Sequence, residues 1–220
     1  MTPFFSRPHA AYLFDMDGTI LDSLPVVERI WSKLAVTYGH DPLYVLSVIH
    51  GVRAIDNIRR FAPEGTDCEA VARQMFEEEM EDMEGITALP GAVDFLSSLP
   101  SDRWAIVTSA EMPLAKRRVE AAGLPLPKVI IGASDVARGK PNPDCFQLGA
   151  ERLGFSASDC LVFEDAPAGM QAGLSAGADV MLITGAHRAH VETQGPKIAD
   201  YRGVAMLPTD DRQLQIVRVA

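Results

Sequence analysis

Cysteine is scarce in this 220-residue chain: Cys68, Cys145 and Cys160 are far apart, odd in number and without metal-ligand spacing. That excludes a disulfide framework or a cysteine metal site, and fits reduced thiols in a reducing compartment. Basic residues are also short, at 20 Lys and Arg against 30 Asp and Glu, for a formal net charge of −10. Nucleic acid needs clustered Lys and Arg and is not an expected partner. A small phosphate ester needs only a local positive site and is not excluded. No apolar stretch approaches the roughly 20 residues of a membrane span. The opening MTPFFSRPHAAYLF has neither the charged start nor the long apolar run of a signal peptide. A cytoplasmic location without a membrane partner is expected. Repeats and low-complexity segments are absent as well.

What is present is a hydrophobic share of 47%, ordinary for a globular protein and enough for one sizeable core with a small inserted domain. Residues 1–10 read as a short tail. Ala11 to Phe14 then forms a short apolar run that Gly18 stops, the pattern of a buried strand. From Leu24 the spacing changes: Leu24, Val27, Trp31, Leu34 and Tyr38 recur at helical intervals, with Asp22 and Ser23 as N-cap candidates and Pro25 in the first turn. Further helices are predicted at about 42–49, 52–62 and 67–84, and the acidic FEEEMEDMEG of the last reads as a solvated face.

Beyond Pro90-Gly91, strands at 104–108, 129–132, 160–163, 180–183 and 204–207 alternate with helices at 113–122, 143–153 and 167–176. Alternation of this kind predicts a parallel sheet covered on both faces. The expected fold is therefore α/β, a three-layer α/β/α Rossmann-like core of residues 1–22 and 89–220. An all-helical cap, residues 23–88, is inserted after the first strand, with hinges near 21–24 and 86–91. Gly169, Gly173 and Gly177 repeat every fourth residue, a small stripe for close approach of helix to sheet with no chemistry assigned.

Open parallel sheets bind ligands beyond the carboxyl ends of their strands. The polar residues there are Asp15 and Asp17, Thr108 and Ser109, Lys140 in the loop after the third strand, and Glu164 with Asp165. Each has an ordinary reading alone, as a turn cap or loop surface. Together they do not, because four acids on one rim repel one another unless a cation sits among them. Hard oxygen ligands suit Mg²⁺. Asp15 and Asp17, one residue apart in an extended chain, point the same way, so one can attack while the other handles protons.

DMDGT, VTS, GKPNPD and FEDAPAG, in this order and across nearly the whole chain, resemble the four motifs of the haloacid dehalogenase-like hydrolase superfamily. The resemblance implies a Mg²⁺-dependent phosphatase passing through an aspartyl-phosphate. Asp15 resembles the nucleophile and a metal ligand. Asp17 resembles the general acid/base, with its backbone carbonyl on the metal. Thr108 resembles the hydroxyl that holds the phosphoryl group, Lys140 the lysine linking Asp15 to phosphate, Asp165 a direct metal ligand and Glu164 its partner, direct or through water. Ser109 would add a phosphate contact. Asp15 must start ionised and Asp17 protonated; the metal and Lys140 would separate them.

The stretch IHGVRAIDNIRRFAP is similar to the cap segment of glycerol-3-phosphatases and 2-deoxyglucose-6-phosphatases, which implies a sugar or polyol phosphate as the small-molecule partner. His50 and Arg53 carry that similarity. Either Arg53 reaches phosphate or hydroxyls through its donor fork, or it is an exposed helix arginine; His50 is equally open to a structural reading. The competing reading is a β-phosphoglucomutase-like phosphomutase. That family has a histidine about five residues after the aspartate matching Asp22, where this chain has Val27. Dehalogenases lack the second aspartate that Asp17 supplies. A monomer is expected.

Overall fold

The computed structural model describes residues 1–186 and 195–219. Along the chain run β1 (Thr2–Pro3), β2 (Ala11–Phe14), β3 (Leu21–Asp22), α1 (Leu24–Thr37), α2 (Pro42–Val48), α3 (Ala54–Phe61), α4 (Cys68–Glu81) and β4 (Thr87–Ala88). They continue with α5 (Ala92–Ser98), β5 (Trp104–Val107), α6 (Met112–Ala121), β6 (Val129–Ile131), α7 (Asp144–Leu153), β7 (Cys160–Glu164), α8 (Pro167–Ser175), β8 (Asp179–Ile183), β9 (Lys197–Ile198), β10 (Val204–Pro208) and β11 (Leu214–Arg218). Among the described residues no helix is long and apolar enough to cross a membrane.

Six strands pair in parallel in the order β6-β5-β2-β7-β8-β9. Chain order reverses between β2 and β7, and a crevice opens at such a point beyond the strand ends. Both faces are buried, so the central strands are apolar throughout: all four residues of β2 and of β5, and all five of β7, are buried. Alternate side chains separate by face. Tyr12, Phe14, Ile106 and Phe163 pack with Phe95 of α5 and Val119 of α6. Leu13, Val107 and Val162 pack on the other face with Phe146 of α7 and Ala172 of α8. This is the expected three-layer arrangement.

The helices α1 to α4 follow as predicted, with α4 ending at Glu81. They share buried Val26, Trp31, Ile58 and Met75. Asp22 caps α1, its Oδ1 accepting the Leu24 amide at 2.9 Å, whereas the Ser23 side chain makes no cap bond. The chain leaves for these helices at β3 and returns at β4, and the two strands pair antiparallel, Leu21 opposite Ala88. The two-residue β4 was not legible as a strand.

Two expectations fail. Residues 1–10 are not a tail. β1 pairs antiparallel with β11, the Phe4 amide donates to Ile216, and His9 is fully buried against Leu214. Residues 204–208 do not join the parallel sheet. They pair with β11 in a separate three-stranded sheet ordered β1-β11-β10, and β9 takes the edge beside β8 instead. The physical reason is that β10 and β11 are joined by a short turn, which suits antiparallel neighbours, whereas a parallel pair needs a crossover of a dozen or more residues.

Candidate active site

Asp15 follows β2 directly and is 4% exposed, its amide donating to the Phe163 carbonyl at 2.9 Å. Lys140, 2% exposed, spends its donors inside the crevice: Nζ lies 2.5 Å from Asp15 Oδ1, 2.7 Å from Glu164 Oε1 and 3.1 Å from the Val107 carbonyl. An ammonium has three donors, so its direction is fully fixed. Glu164 is fixed from the other side, Oε2 accepting the amides of Asp165 at 2.8 Å and Ala166 at 2.9 Å. Asp165 Oδ1 accepts the Thr19 hydroxyl at 3.0 Å, and the Thr19 carbonyl accepts the Tyr201 hydroxyl at 3.0 Å. Tyr201, two strands further along the chain, thus buttresses Asp165 through Thr19.

Oxygens of Asp15, Glu164 and Asp165 all lie within 4.8 Å of one another. Burial pushes the Asp15 carboxyl up to about 7 against the downward pull of Lys140, with Glu164 adding to the rise. Burial also raises Glu164, again opposed by Lys140. For Lys140 burial acts downward, but Asp15 and Glu164 outweigh it and hold the ammonium well above its ordinary range. Lys140 pairs with two of the three clustered carboxylates, Asp15 and Glu164, and Asp165 lies beside them. The chemistry of this donor set, hard oxygens in a buried site, fits a divalent cation.

Asp17 lies apart from that cluster. Its Oδ1 accepts from Arg118 Nη1 at 3.0 Å, and Arg118 Nη2 donates to Glu79 Oε1 at 3.0 Å. Arg118, on α6, is 3% exposed, and its Nε has no hydrogen-bond partner among the described residues. Glu79, on α4, is 8% exposed. The solvated reading of FEEEMEDMEG therefore fails at this acid, because it finds a buried cation to pair with. Neither residue stood out in the sequence, but helical spacing held the signal. Arg118 lies one turn from buried Leu114 and Ala115, and Glu79 one turn from buried Met75.

Breaking this triad by Arg118→Met leaves two acids facing each other without a cation. The expected loss is about 3 kcal/mol of unfolding free energy, the low end of the range for a broken buried pair, because Asp17 keeps some solvent. Urea unfolding measures it. The double variant Arg118→Met/Glu79→Gln is expected to recover part of the loss; equal losses would count against the pairing as the cause.

Above these groups lies a cavity of about 450 Å³, lined among others by Asp15, Asp17, Thr108, Trp31, Phe76 and Glu79, a size suited to a small molecule. Thr108 Oγ1 accepts the Ala110 amide at 3.1 Å. His50, Arg53 and Ser109 line the cavity too. Ser109 donates to the Gly51 carbonyl at 2.9 Å. Arg53 directs Nε to Asp56 at 2.7 Å and Nη1 to the carbonyls of Val136 and Ala137, each at 3.3 Å. Much of its fork therefore joins the helical block to the loop that carries Lys140.

A profile of haloacid dehalogenase-like hydrolases matches residues 9–177. The chain belongs to this family. It resembles the sugar and polyol phosphatase branch within it. Hexitol phosphatase A of Escherichia coli is 48% identical over 176 residues, covering 78% of this chain and 82% of that protein. Glycerol-1-phosphate phosphohydrolase 2 of Saccharomyces cerevisiae is 37% identical over 79% of this chain and 74% of its own length. Among solved structures, a hydrolase from Pseudomonas syringae superposes with a TM-score of 0.71 at 28% identity, covering 80% of this chain and 84% of that one.

Proposed function

We infer that this enzyme, a phosphatase of the haloacid dehalogenase-like hydrolase family, hydrolyses sugar or polyol monophosphates with Mg²⁺ through an aspartyl-phosphate on Asp15. The observation that carries the reading is Lys140 bridging Glu164 and Asp15, the latter a cavity-lining residue. Relatives named for hexitol, glycerol 1-phosphate and 2-deoxyglucose 6-phosphate support the substrate class. The acidic composition and three free cysteines support a cytoplasmic enzyme without nucleic-acid partners. A monomer is the simplest state. Residues 23–88 are read as the cap that covers the site, and 1–22 with 89–220 as the catalytic core.

Asp15 Oδ attacks phosphorus as the ester bond to the leaving oxygen breaks, and Asp17 gives that oxygen a proton. Asp17 then takes a proton from the water that attacks the aspartyl-phosphate, releasing phosphate and freeing Asp15. Arg118 fixes the direction of the Asp17 carboxylate. The Thr108 hydroxyl holds phosphoryl oxygens, with Ser109 beside it, and Lys140 keeps the Asp15 carboxylate in place for attack. His50 and Arg53 bound the substrate's carbon chain. Asp15, Asp165, Glu164 and the Asp17 carbonyl would hold Mg²⁺, which offsets charge on the phosphoryl oxygens. A cap seated over the cavity excludes water from the first step.

The test is release of inorganic phosphate from sorbitol 6-phosphate, glycerol 1-phosphate and 2-deoxyglucose 6-phosphate. Turnover is expected with Mg²⁺ and a fall of roughly a hundredfold or more on EDTA treatment, reversed by added Mg²⁺. Full activity in EDTA would refute the metal assignment. The mutase alternative predicts isomer formation from glucose 1-phosphate. Val27, in the position where mutases have histidine, lines the cavity as an apolar group with no proton to exchange.

A further inference from the structure

The cavity carries a carboxylate that the reaction above does not use. Ala72, Phe76 and Glu79 present one face of α4 to the cavity, at the i, i+4, i+7 spacing of a helix stripe. Glu79 is not a surface acid, since its side chain is 11% exposed. One oxygen, Oε1, is held by Arg118. The other, Oε2, accepts no hydrogen bond among the described residues and is not sealed from solvent. Its remaining access is therefore to the cavity it lines.

Position along α4 matters. Glu79 is tied through Arg118 to Asp17, at the inner end where the chemistry lies. Arg73 lines the same cavity six residues earlier, roughly 9 Å along the helix axis. The positive charge of Arg118 is already taken by Asp17 and Glu79, and among the described residues no other cation pairs with Glu79. A substrate hydroxyl near the phosphoester finds an acceptor there. A substrate carboxylate in the same place meets a third acid next to Asp15 and Asp17.

We propose, resting on the phosphatase reading, that Glu79 is a specificity-determining residue. It accepts hydrogen bonds from hydroxyls next to the phosphoester and rejects substrates that carry an anionic group there. The site thereby selects neutral polyhydroxyl monophosphates over phosphorylated short-chain acids. Attraction and rejection reside in one side chain, and both raise discrimination.

The experiment compares kcat and KM for sorbitol 6-phosphate and 2-phosphoglycolate, with Mg²⁺, in the wild type, Glu79→Gln and Glu79→Asp. The wild type is expected to prefer the polyol ester. Glu79→Gln is expected to shift the kcat/KM ratio about tenfold or more toward phosphoglycolate, mainly through KM. Glu79→Asp keeps the charge with a shorter reach, so it is expected to raise KM for the polyol ester and still reject phosphoglycolate. A ratio unchanged within threefold in Glu79→Gln, or equal losses on both esters, overturns the proposal and leaves Glu79 a structural partner of Arg118. If Glu79→Gln does not fold, Glu79→Asp decides by the same comparison of the two esters. A wild type that hydrolyses phosphoglycolate and no sugar or polyol phosphate refutes the functional reading itself, whatever the variants do.

Discussion

Asparagine in place of Asp15 is expected to lower turnover by about 10⁴-fold or more, in line with removal of a nucleophile in other enzymes. The replacement is nearly isosteric, so the fold has little reason to change. An amide oxygen still accepts from Lys140, and Lys140 keeps Glu164 and the Val107 carbonyl. What is lost is the anionic oxygen that attacks phosphorus. Substrate binding is expected to persist, because Thr108 and the cavity walls remain. Acid-quenched wild type is expected to show a phosphorylated peptide containing Asp15 in mass spectra; the variant is expected to show none. Phosphate release within tenfold of wild type would end the covalent mechanism.

Alanine at Gly169 has the second large effect, and helix propensity alone predicts the wrong sign. In the first turn of α8, Ala for Gly would stabilise by up to about 1 kcal/mol. A Cβ built there would lie 1.5 Å from Glu164 Oε1 and 2.0 Å from its Cδ. That carboxylate cannot give way freely, since Lys140 and two backbone amides hold it. Overpacking costs about 1–3 kcal/mol, and a displaced buried acceptor a similar amount, so the clash wins. Activity is expected to fall roughly a hundredfold because Lys140 loses its second anchor. Gly173→Ala is the control. Its Cβ meets Val180 at 3.0 Å and Val162 at 3.2 Å, away from the acids, so stability falls modestly and activity persists. Equal activity in the two variants would show that Glu164 need not stay where it is.

Gly169 also marks how far the sequence was legible. Its four-residue repeat with Gly173 was readable as close packing, and at Gly173 the neighbours are sheet valines. That Gly169 makes room for a carboxylate depends on how α8 sits over the end of β7, which no local pattern encodes. The strand ends were legible because parallel strands buried on both faces are continuously apolar, so the first polar residue stands out. Asp15, Lys140, Glu164 and Asp165 do converge in the crevice. Arg118 and Glu79 were hidden because a charge on an amphipathic helix reads as solvated until its partner from another element is known. The terminal sheet was hidden for a related reason: Thr2–Pro3 gains strand identity only from Leu214–Arg218, more than 200 residues away.

The pairing of β3 with β4 brings the two ends of the helical block together, Leu21 beside Ala88 and Asp22 beside Thr87. All six strands of the parallel sheet come from residues outside it. Length and sequence between those ends can therefore change without shifting the register of any strand that carries Asp15, Thr108 or Glu164. On the proposed reading, Glu79 and the strand-end acids occupy separable stretches of one gene. If Glu79 selects substrate as proposed, a lineage built this way can try new substrates by altering the stretch that holds it while the strand-end acids stay in place.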